Sequence, residues 1–302
     1  MINLTVNIGN VQFKNPVTIA SGTLGYIKKY AKLSDIKKLG AFVPKTITLK
    51  ERSGNPSPRI VETASGMMNA IGIENEGLDY FLKNKLPSLE RLGVPLIVSV
   101  SGSNLDEFII LAKALDVQPS ISAIELNLSC PNLANKKLIA QDAEATASLV
   151  RQVKNVTRKP IVAKLSPNVT DISEIALAAQ DGGADAVSLV NTFMAMAVDV
   201  KRRKPILGNI TGGLSGPAIK PIALKMVYDV KCRVKVPIIA MGGIMTAEDA
   251  LEFLITGATM VAVGTANFIN PQAPLEILDG IKKYMKENKN FDIHQLIGSL
   301  KI

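Results

Sequence analysis

The segment "PIVAKLSPNVTDISEIALAAQDGGADAVSLVNT", residues 160–192, places a helix pattern between two apolar runs. The runs "PIVAKLSP" and "AVSLVNT" are predicted to be buried β-strands, because short apolar stretches bounded by turn residues are typical of such strands. Asp171 is a suitable N-cap for the helix between them, and Gly182 lies where a C-capping glycine belongs. The segment therefore predicts a β-α-β unit with parallel strands.

The same alternation runs through most of the chain. Asn104 and Thr246 are further candidate N-caps, and Gly257 is a further candidate C-cap. Strand-like runs alternate with helix patterns at "VTIASG" (17–22), "AFVPKTIT" (41–48), "PLIVSVSG" (95–102), "AIELNLSC" (123–130), "PIVAKLSP" (160–167), "AVSLVNT" (186–192), "PIIAMGGI" (237–244) and "MVAVGTANF" (260–268). Eight such units in a chain of 302 residues predict an α/β fold, a single (β/α)8 TIM barrel domain over residues 1–302.

The N-terminal segment "LTVNIGNVQFKNP" alternates apolar and polar residues around Gly9-Asn10. It is predicted to form a β-hairpin that closes the floor of the barrel. A doubly wound parallel sheet is the alternative fold. The sequence contains neither a G-x-G-x-x-G pattern nor a Walker A lysine, and this counts against that alternative.

Composition limits the class of protein. The chain is 47% hydrophobic and has two cysteines, Cys130 and Cys232, which excludes a disulfide scaffold or a four-cysteine zinc or iron–sulfur site within it. Neither a signal-peptide pattern nor an apolar run of membrane-spanning length is present, so we predict a cytoplasmic protein with no membrane association. The net charge of +9 is compatible with nucleic-acid binding, but most lysines are scattered along helices, which favours a solvated surface. The dense run "KRRKP", residues 201–205, is predicted to be an exposed loop.

In a barrel of this type the functional residues lie at the carboxyl ends of the strands. Two of the predicted strands carry a lysine, Lys45 and Lys164, within an otherwise apolar run. A buried ammonium group is costly unless it meets an anion, so we expect both lysines to face a bound anionic ligand. The alternative is that each lysine pairs with a carboxylate of the protein or extends to the surface. The other strand ends carry Ser21, Gly22, Thr46, Ser99, Asn127, Cys130, Asn132, Asn191, Thr192, Gly242, Gly243, Gly264 and Thr265.

The glycines after the last two strands indicate a phosphate site. Barrels of this class often bind phosphate with backbone N–H groups of the loops after strands seven and eight. "MGGI" and "VGTANF" occupy those two positions here. Amide side chains without acidic neighbours favour a planar ligand with carbonyl and N–H edges. His294 lies in the C-terminal tail, which leaves Cys130 as the leading proton-transfer group.

Seven segments together resemble dihydroorotate dehydrogenase, and they span almost the whole chain. They are "KTIT" (45–48), "SGMMNAIGIEN" (65–75), "ELNLSCPN" (125–132), "AKLSP" (163–167), "LVNT" (189–192), "GNITGGLSGPAIKP" (208–221) and "MGGI" (241–244). The resemblance implies an FMN-containing barrel that oxidises dihydroorotate to orotate in pyrimidine biosynthesis. A cysteine in "ELNLSCPN" resembles the class 1 enzymes, in which it takes the C5 proton while hydride leaves C6 for the flavin.

The resemblance also implies a role for individual residues. Lys45 would meet the substrate carboxylate and Lys164 the N1/O2 edge of the flavin, where a cation stabilises the charge of the reduced ring. The implied orotate-binding residues are Lys45, Asn69, Ile71, Gly72, Ile73, Asn127, Asn132, Asn191 and Thr192. The implied FMN-binding residues are Ala20, Ser21, Gly22, Lys45, Thr46, Ser99, Asn127, Lys164, Val190, Gly216, Gly242, Gly243, Gly264 and Thr265, and no metal site is expected.

Within class 1, "VKRRKPILGNITGGLSGPAIKPIALKMVY" resembles the B type. That type pairs with an electron-transfer subunit that carries FAD and a 2Fe–2S cluster and passes electrons to NAD. Symmetric association is common for such barrels, so we also expect a homodimeric core. The fumarate-linked, homodimeric A type is the first alternative. One departure from the family pattern is Ala195, at a position usually occupied by glycine, and we expect a local backbone difference there.

Three readings outside this family remain. A tRNA-dihydrouridine synthase is also an FMN barrel with a cysteine, but it carries a helical RNA-binding domain, and only about 30 residues follow the eighth predicted strand. A sugar-phosphate isomerase or aldolase with Lys164 as a Schiff-base amine is the non-redox alternative. A non-catalytic binding protein is disfavoured because so many polar groups are expected at one end of the barrel.

Overall fold

The computed structural model of the chain describes residues 2–24, 36–128 and 139–302. Its strands within these ranges are β1 Val6–Ile8, β2 Val11–Phe13, β3 Val17–Ile19, β4 Ile60–Thr63, β5 Gly66–Asn69, β6 Leu96–Val100, β7 Ile121–Asn127, β8 Ile161–Lys164, β9 Ala186–Leu189, β10 Phe193–Met196, β11 Val198–Asp199, β12 Lys204–Pro205, β13 Thr211–Ser215, β14 Ile238–Ala240 and β15 Met260–Val263. Seven of them form the parallel sheet β3-β15-β14-β9-β8-β7-β6. The predicted α/β barrel architecture is confirmed.

Helices alternate with the strands of this sheet. The α-helices of the described ranges are α1 Leu78–Tyr80, α2 Leu86–Glu90, α3 Leu105–Asp116, α4 Ala143–Lys154, α5 Ile172–Asp181, α6 Lys220–Arg233, α7 Ala247–Thr256, α8 Ala266–Ile269 and α9 Ala273–Glu287. Consecutive helices from α3 to α7 pack side by side, and α9 packs on α7. None of the helices in these ranges is long and apolar enough to cross a bilayer.

The predicted helix starts are confirmed by their hydrogen bonds. Asn104 accepts from the backbone N–H of Glu107, and Asp171 accepts from that of Ser173. Thr246 forms a capping box with Asp249 at the start of α7. Each cap satisfies backbone donors that the first helical turn leaves without a partner.

The predicted strand at 41–48 is wrong as a continuous strand. In its place, isolated parallel bridges join Phe42 to Leu96 and Ile47 to Val100. Pro44 lies between the two bridges and has no N–H group, so it cannot donate to a strand ladder.

The segment nevertheless occupies the eighth barrel position, since it contacts both edge strands of the sheet. The backbone of Gly40 donates to Val17 of β3, and that of Phe42 donates to Pro95, directly before β6. Thr18, within β3, donates to the carbonyl of Ala41 at 3.0 Å. The barrel is therefore closed by an irregular segment rather than by a regular strand.

The predicted N-terminal hairpin is confirmed as the antiparallel pair β1–β2. Its turn residue Gly9 lies against Pro160 and Asp185, which directly precede β8 and β9. The hairpin therefore covers the amino ends of the strands, which is the floor of the barrel.

A second sheet lies at the opposite end and was not predicted. It is antiparallel, with the order β10-β13-β5-β4. Strand β10 follows β9 after three residues, so the sheet lies over the carboxyl ends of the barrel strands. Ala195 lies inside β10 opposite Gly212, so alanine is accommodated there in extended backbone. The segment "KRRKP" is exposed, as predicted; residues 201–203 form the turn between β11 and β12, and Lys204–Pro205 form the short strand β12.

Candidate active site

Hydroxyl groups join the strand ends on one side of the barrel. The Ser21 and Thr46 hydroxyl oxygens are 3.0 Å apart, and those of Thr46 and Ser99 are also 3.0 Å apart. Ser21 additionally donates to the Pro44 carbonyl at 2.9 Å. Thr46 and Ser99 are buried, so this chain of hydroxyls forms a polar wall inside an otherwise apolar barrel.

The loops that follow β13 and β14 meet at two glycines. Gly216 has φ +98° and Gly243 has φ +77°, a backbone conformation that residues with a Cβ rarely adopt. A Cβ on Gly243 would lie only 2.9 Å from the Gly216 carbonyl oxygen. The neighbouring Gly242 faces Val190 at the end of β9. We call this junction of Gly216, Gly242 and Gly243 the glycine cradle; side chains at Gly242 and Gly243 would overlap Ala223 and Lys220 of α6, so the glycines allow close packing there.

The loop after β15 continues this cradle. Gly264 lies beside Ala20, which follows β3, and nothing lies within 4 Å of the open side of Gly22. Thr265 donates from its hydroxyl to that of Ser215 at 2.9 Å, which ties this loop to the end of β13. The loops after β3, β13, β14 and β15 therefore come together in one region, with open backbone at Gly22 and Gly264.

The predicted amide groups converge beside it. Asn191 donates from Nδ2 to Oδ1 of Asn127 at 3.3 Å. Asn69 of β5 donates to the carbonyl of Gly213 at 3.4 Å. Thr192 packs so closely on Gly213 that a Cβ added to Gly213 would overlap the Thr192 hydroxyl. The overlying sheet thus brings Asn69 to the residues that follow β9.

Lys45 faces the carboxylate of Glu74, in the segment that follows β5. Its Nζ lies 3.9 Å from Oε2 of Glu74, and Arg59 contacts the same oxygen at 2.9 Å. Burial lowers the pKa of Lys45 below its ordinary value, the charges of Glu74 and Glu76 oppose this, and Arg59 adds to it. The lysine is only loosely paired, because 3.9 Å is longer than a hydrogen bond.

The residues before Glu74 form the loop that leaves β5. Gly72 and Ile73 both have positive φ, +75° and +54°. The carbonyl of Ile71 accepts from the backbone of Asn55, and that of Ile73 accepts from the side chain of Asn75. Asn69 and the Ile71-Gly72-Ile73 turn are thereby held along one edge of the site.

Lys164, the last residue of β8, also faces a carboxylate. Its Nζ lies 3.8 Å from Oε1 of Glu125, and both residues are buried. Ser188 donates to the other oxygen, Oε2, at 2.9 Å. An acidic side chain thus lies beside Lys164 inside the barrel. Both strand lysines contact a protein carboxylate, as the alternative interpretation held, although at distances longer than a hydrogen bond.

Two of the predicted site residues, Cys130 and Asn132, lie outside the described residues. The second cysteine, Cys232, is exposed on α6. His294 lies in a short turn whose neighbouring residues bond to Asn3. Within the described ranges no group of three or more histidine, cysteine, aspartate or glutamate side chains is placed to hold a metal ion.

Two residues that contribute to the site were missed by sequence reasoning. Glu125 had a detectable signal, because it is a charged residue inside an apolar strand, like Lys45 and Lys164. Asn168 had none. Its Nδ2 donates to the Thr192 carbonyl at 3.0 Å, and its Oδ1 accepts from the backbone of Met194 at 2.9 Å.

Comparison with known sequences assigns the chain to a family. The sequence model described as dihydroorotate dehydrogenase matches residues 3–285. The chain belongs to the dihydroorotate dehydrogenase family. A relative from Geotalea uraniireducens is 49% identical over 299 residues, which cover 99% of this chain and 98% of the relative. Relatives from Desulforamulus reducens and Desulforudis audaxviator are each 50% identical over 299 residues, covering 99% of this chain and 98% and 97% of the relatives.

All three relatives are named dihydroorotate dehydrogenase B (NAD(+)), catalytic subunit. The predicted family and its B type are confirmed, and the fumarate-linked and tRNA-modifying alternatives are not favoured. The chain is an oxidoreductase of the dihydroorotate dehydrogenase family. The words "catalytic subunit" in the relatives' names imply a partner subunit.

Family membership implies a flavin cofactor, and the residues present fit one. A flavin nucleotide needs a cradle of open backbone for its phosphate and a cation for the electron-rich edge of its ring. Gly22, with nothing within 4 Å of its open side, and Gly264, with only Ala20 nearby, provide such open backbone where the loops after β3 and β15 meet. Lys164 provides a buried cation at a strand end of the same barrel.

Proposed function

We propose that this chain is the catalytic subunit of an NAD-linked dihydroorotate dehydrogenase, which oxidises (S)-dihydroorotate to orotate in de novo pyrimidine biosynthesis. The observation that carries the proposal is the convergence of a cation and amides at the carboxyl end of the barrel. Asn127 and Lys164 are register partners at the ends of β7 and β8, and Asn191 bonds to Asn127. A planar pyrimidine beside a flavin ring needs such a set of donors, acceptors and positive charge.

FMN is the proposed cofactor of a single barrel domain, residues 1–302. Lys164 would contact the N1/O2 edge of the ring, and the hydroxyls of Thr46 and Ser99 line the barrel nearby. Backbone N–H groups of the glycine cradle would hold the phosphate. The proposed cofactor-binding residues are Ala20, Ser21, Gly22, Lys45, Thr46, Ser99, Asn127, Lys164, Val190, Gly216, Gly242, Gly243, Gly264 and Thr265.

The substrate would lie between the cofactor and the overlying antiparallel sheet. Lys45 would bind the carboxylate of dihydroorotate, since its contact with Glu74 at 3.9 Å is loose enough to be exchanged for a ligand. The amides complement the carbonyl and N–H edges of the ring. The proposed substrate-binding residues are Lys45, Asn69, Ile71, Gly72, Ile73, Asn127, Asn132, Asn191 and Thr192.

Cys130 is the proposed base. As a thiolate it would take the proton from C5 of dihydroorotate, and the electron pair of that bond would form the C5–C6 double bond as hydride leaves C6. Bound FMN supplies the acceptor for that hydride. Asn127 and Asn191, held together at 3.3 Å, would fix the ring so that C5 faces the thiolate.

The proposed assembly is a homodimeric core with a second subunit that carries FAD and a 2Fe–2S cluster and delivers electrons to NAD. A single chain with two cysteines does not supply four cysteine ligands for such a cluster, so the cluster is assigned to the partner. The proposal retains the cytoplasmic location expected from the sequence. Sedimentation at micromolar concentration should give a dimer, and a stable monomer would contradict the homodimeric core.

An anaerobic absorption spectrum before and after addition of dihydroorotate tests the function. Flavin bands that bleach on addition support both the cofactor and the substrate. Bands that persist contradict the substrate, and a chain that binds no flavin after reconstitution with FMN contradicts the cofactor.

The electron acceptor is tested on the bleached enzyme. Fumarate and NAD are added separately to the isolated chain. If the NAD-linked proposal is correct, neither acceptor restores the flavin bands rapidly, and the FAD-containing subunit must be added before NAD does so. Rapid recovery with fumarate alone would identify the A type instead.

A further inference from the structure

Glu125 is a buried carboxylate that the proposed reaction does not use. It lies in the middle of β7, pairs in register with Ser99 of β6, and is 3% exposed. Ser188, which is fully buried on β9, donates to Oε2 at 2.9 Å and so fixes the orientation of the carboxylate. Its other oxygen, Oε1, has no hydrogen-bond partner within the described part of the chain.

That unpartnered oxygen faces Lys164. The distance from Oε1 to Nζ is 3.8 Å, which is close enough for strong Coulomb attraction but too long for a hydrogen bond. The two groups therefore partly neutralise each other without forming a hydrogen bond. A buried pair of this kind is weak evidence for a role in stability, because desolvation offsets much of the attraction.

We propose that Glu125 is a positioning residue that limits the positive charge Lys164 presents to the flavin and thereby lowers the flavin's reduction potential. The inference rests on the proposed function, in which Lys164 contacts the N1/O2 edge of FMN. Reduced flavin carries negative charge at that edge, so an uncompensated lysine would favour reduced over oxidised flavin. The Glu125 carboxylate opposes this preference through the low-dielectric interior of the barrel.

The consequence concerns electron transfer out of the site. A catalytic subunit that passes electrons on to NAD needs a reduced flavin that releases its electrons readily. Lys164 alone would hold the electrons on the flavin, and the fixed negative charge behind it weakens that hold. Ser188 contributes by fixing the orientation of the carboxylate beside the lysine.

The test is the midpoint potential of the FMN-loaded chain, measured by anaerobic spectroelectrochemistry for wild type and Glu125→Gln. The amide keeps the shape and the bond to Ser188 but removes the charge. We expect the affinity for reduced relative to oxidised flavin to rise at least about tenfold, a positive shift of about 30 mV for a two-electron couple. Glu174→Gln makes the same charge change on the exposed face of α5 and should leave the potential unchanged.

The outcomes separate this inference from the function on which it rests. A Glu125→Gln potential equal to or below that of a wild-type chain that bleaches with dihydroorotate overturns the inference and leaves the function standing. A wild-type chain that binds no flavin overturns both. If Glu125→Gln does not fold, Glu125→Asp retracts the charge by one methylene and should give a smaller shift in the same direction. An unchanged potential in Glu125→Asp would then overturn the inference.

Discussion

At the scale of single residues, the interior of this barrel differs from a simple packed core by a few polar side chains. Lys164, Glu125, Ser99 and Ser188 are buried on β6 to β9, among residues that are otherwise aliphatic. Each has a polar contact, as the cost of burying an unpaired polar group requires. These four residues are positions at which the sequence interrupts an apolar strand with a polar side chain.

The role proposed for Cys130 gives a residue-scale prediction. Cys130→Ser should reduce the flavin with dihydroorotate at least about 100-fold more slowly at pH 7, because a serine hydroxyl ionises to the anionic base far less readily than a cysteine thiol and general base catalysis contributes about that factor or more. Stopped-flow absorbance of the FMN-loaded chain measures the rate. Cys232→Ser is the matched control, since Cys232 is exposed on α6, and its rate should equal wild type. An unchanged rate in Cys130→Ser would remove Cys130 from the mechanism.

At the scale of elements, the loops after the strands are connected to one another by side chains. Asn168, in the loop after β8, donates to the carbonyl of Thr192 and accepts from the backbone of Met194 at the start of β10. Its own carbonyl accepts from Gln141 at 2.8 Å, at the start of the segment that leads into α4. Three consecutive β-α units are therefore joined above the barrel.

Removing this connection should weaken ligand binding. Asn168→Ala loses the two bonds to Thr192 and Met194 at the start of β10, and we expect the dissociation constant of orotate to rise about tenfold, the equivalent of roughly one to two hydrogen bonds. Titration of the flavin absorbance with orotate measures it. Asn84→Ala changes an exposed asparagine whose side chain donates to the nearby Tyr80 carbonyl. This variant should bind orotate as wild type does. Equal constants in Asn168→Ala and wild type would contradict the positioning role.

The start of α7 gives a prediction on pH. Burial raises the pKa of Asp249, but hydrogen bonds from Lys220, the backbone of Met245 and Thr246 outweigh it and hold the pKa below its usual value. Because the folded pKa is depressed, this stabilisation is present at neutral pH and is lost as pH falls through the folded pKa, below about pH 4.

Urea unfolding at pH 7 and pH 3 tests this linkage. Asp249→Asn should lose less free energy of unfolding than wild type between the two pH values, because it has no carboxylate to protonate. Asp279→Asn, at an exposed position of α9, should lose as much as wild type. A loss in Asp249→Asn equal to that of wild type would show that Asp249 does not contribute.

At the scale of the whole molecule, closure of the barrel depends on the irregular segment at 40–48. Its backbone bonds to Val17 on one side and to Pro95 on the other, and Phe42 is fully buried at this junction. The hairpin β1–β2 covers the floor, and the antiparallel sheet covers the opposite end. A long apolar interior is thus enclosed at both ends.

Phe42→Ala should therefore destabilise the fold by about 3–5 kcal/mol, the usual cost of removing a fully buried phenylalanine ring. Phe291→Ala removes the same ring at a position that is 59% exposed, and its cost should stay within about 0.5 kcal/mol. Urea denaturation followed by circular dichroism gives both free energies of unfolding. Similar costs for the two substitutions would contradict the role of Phe42 in closure.

The sequence predicts the barrel well because the patterns that indicate its strands and helices are local. Apolar runs, helix caps such as Thr246 and the alternation of strand and helix patterns each depend on a few neighbouring residues. The segment at 41–48 shows the limit, since its apolar pattern predicts one strand, whereas the structure has two separate bridges to β6 on either side of Pro44. The antiparallel sheet was missed because its strands are short, rich in glycine and paired across distant parts of the chain.

By itself the sequence determined the fold class, the polar strand ends and, through its motifs, the family resemblance. Only the tertiary structure decided which polar groups meet. The contacts of Glu125 with Lys164 and Ser188 join three strands, and Asn168 joins the loop after β8 to the residues that follow β9. No local pattern encodes either set of contacts. The physical reason is that a buried charge depends on the partners that packing brings to it, and strand pairing sets those partners across separations of tens of residues.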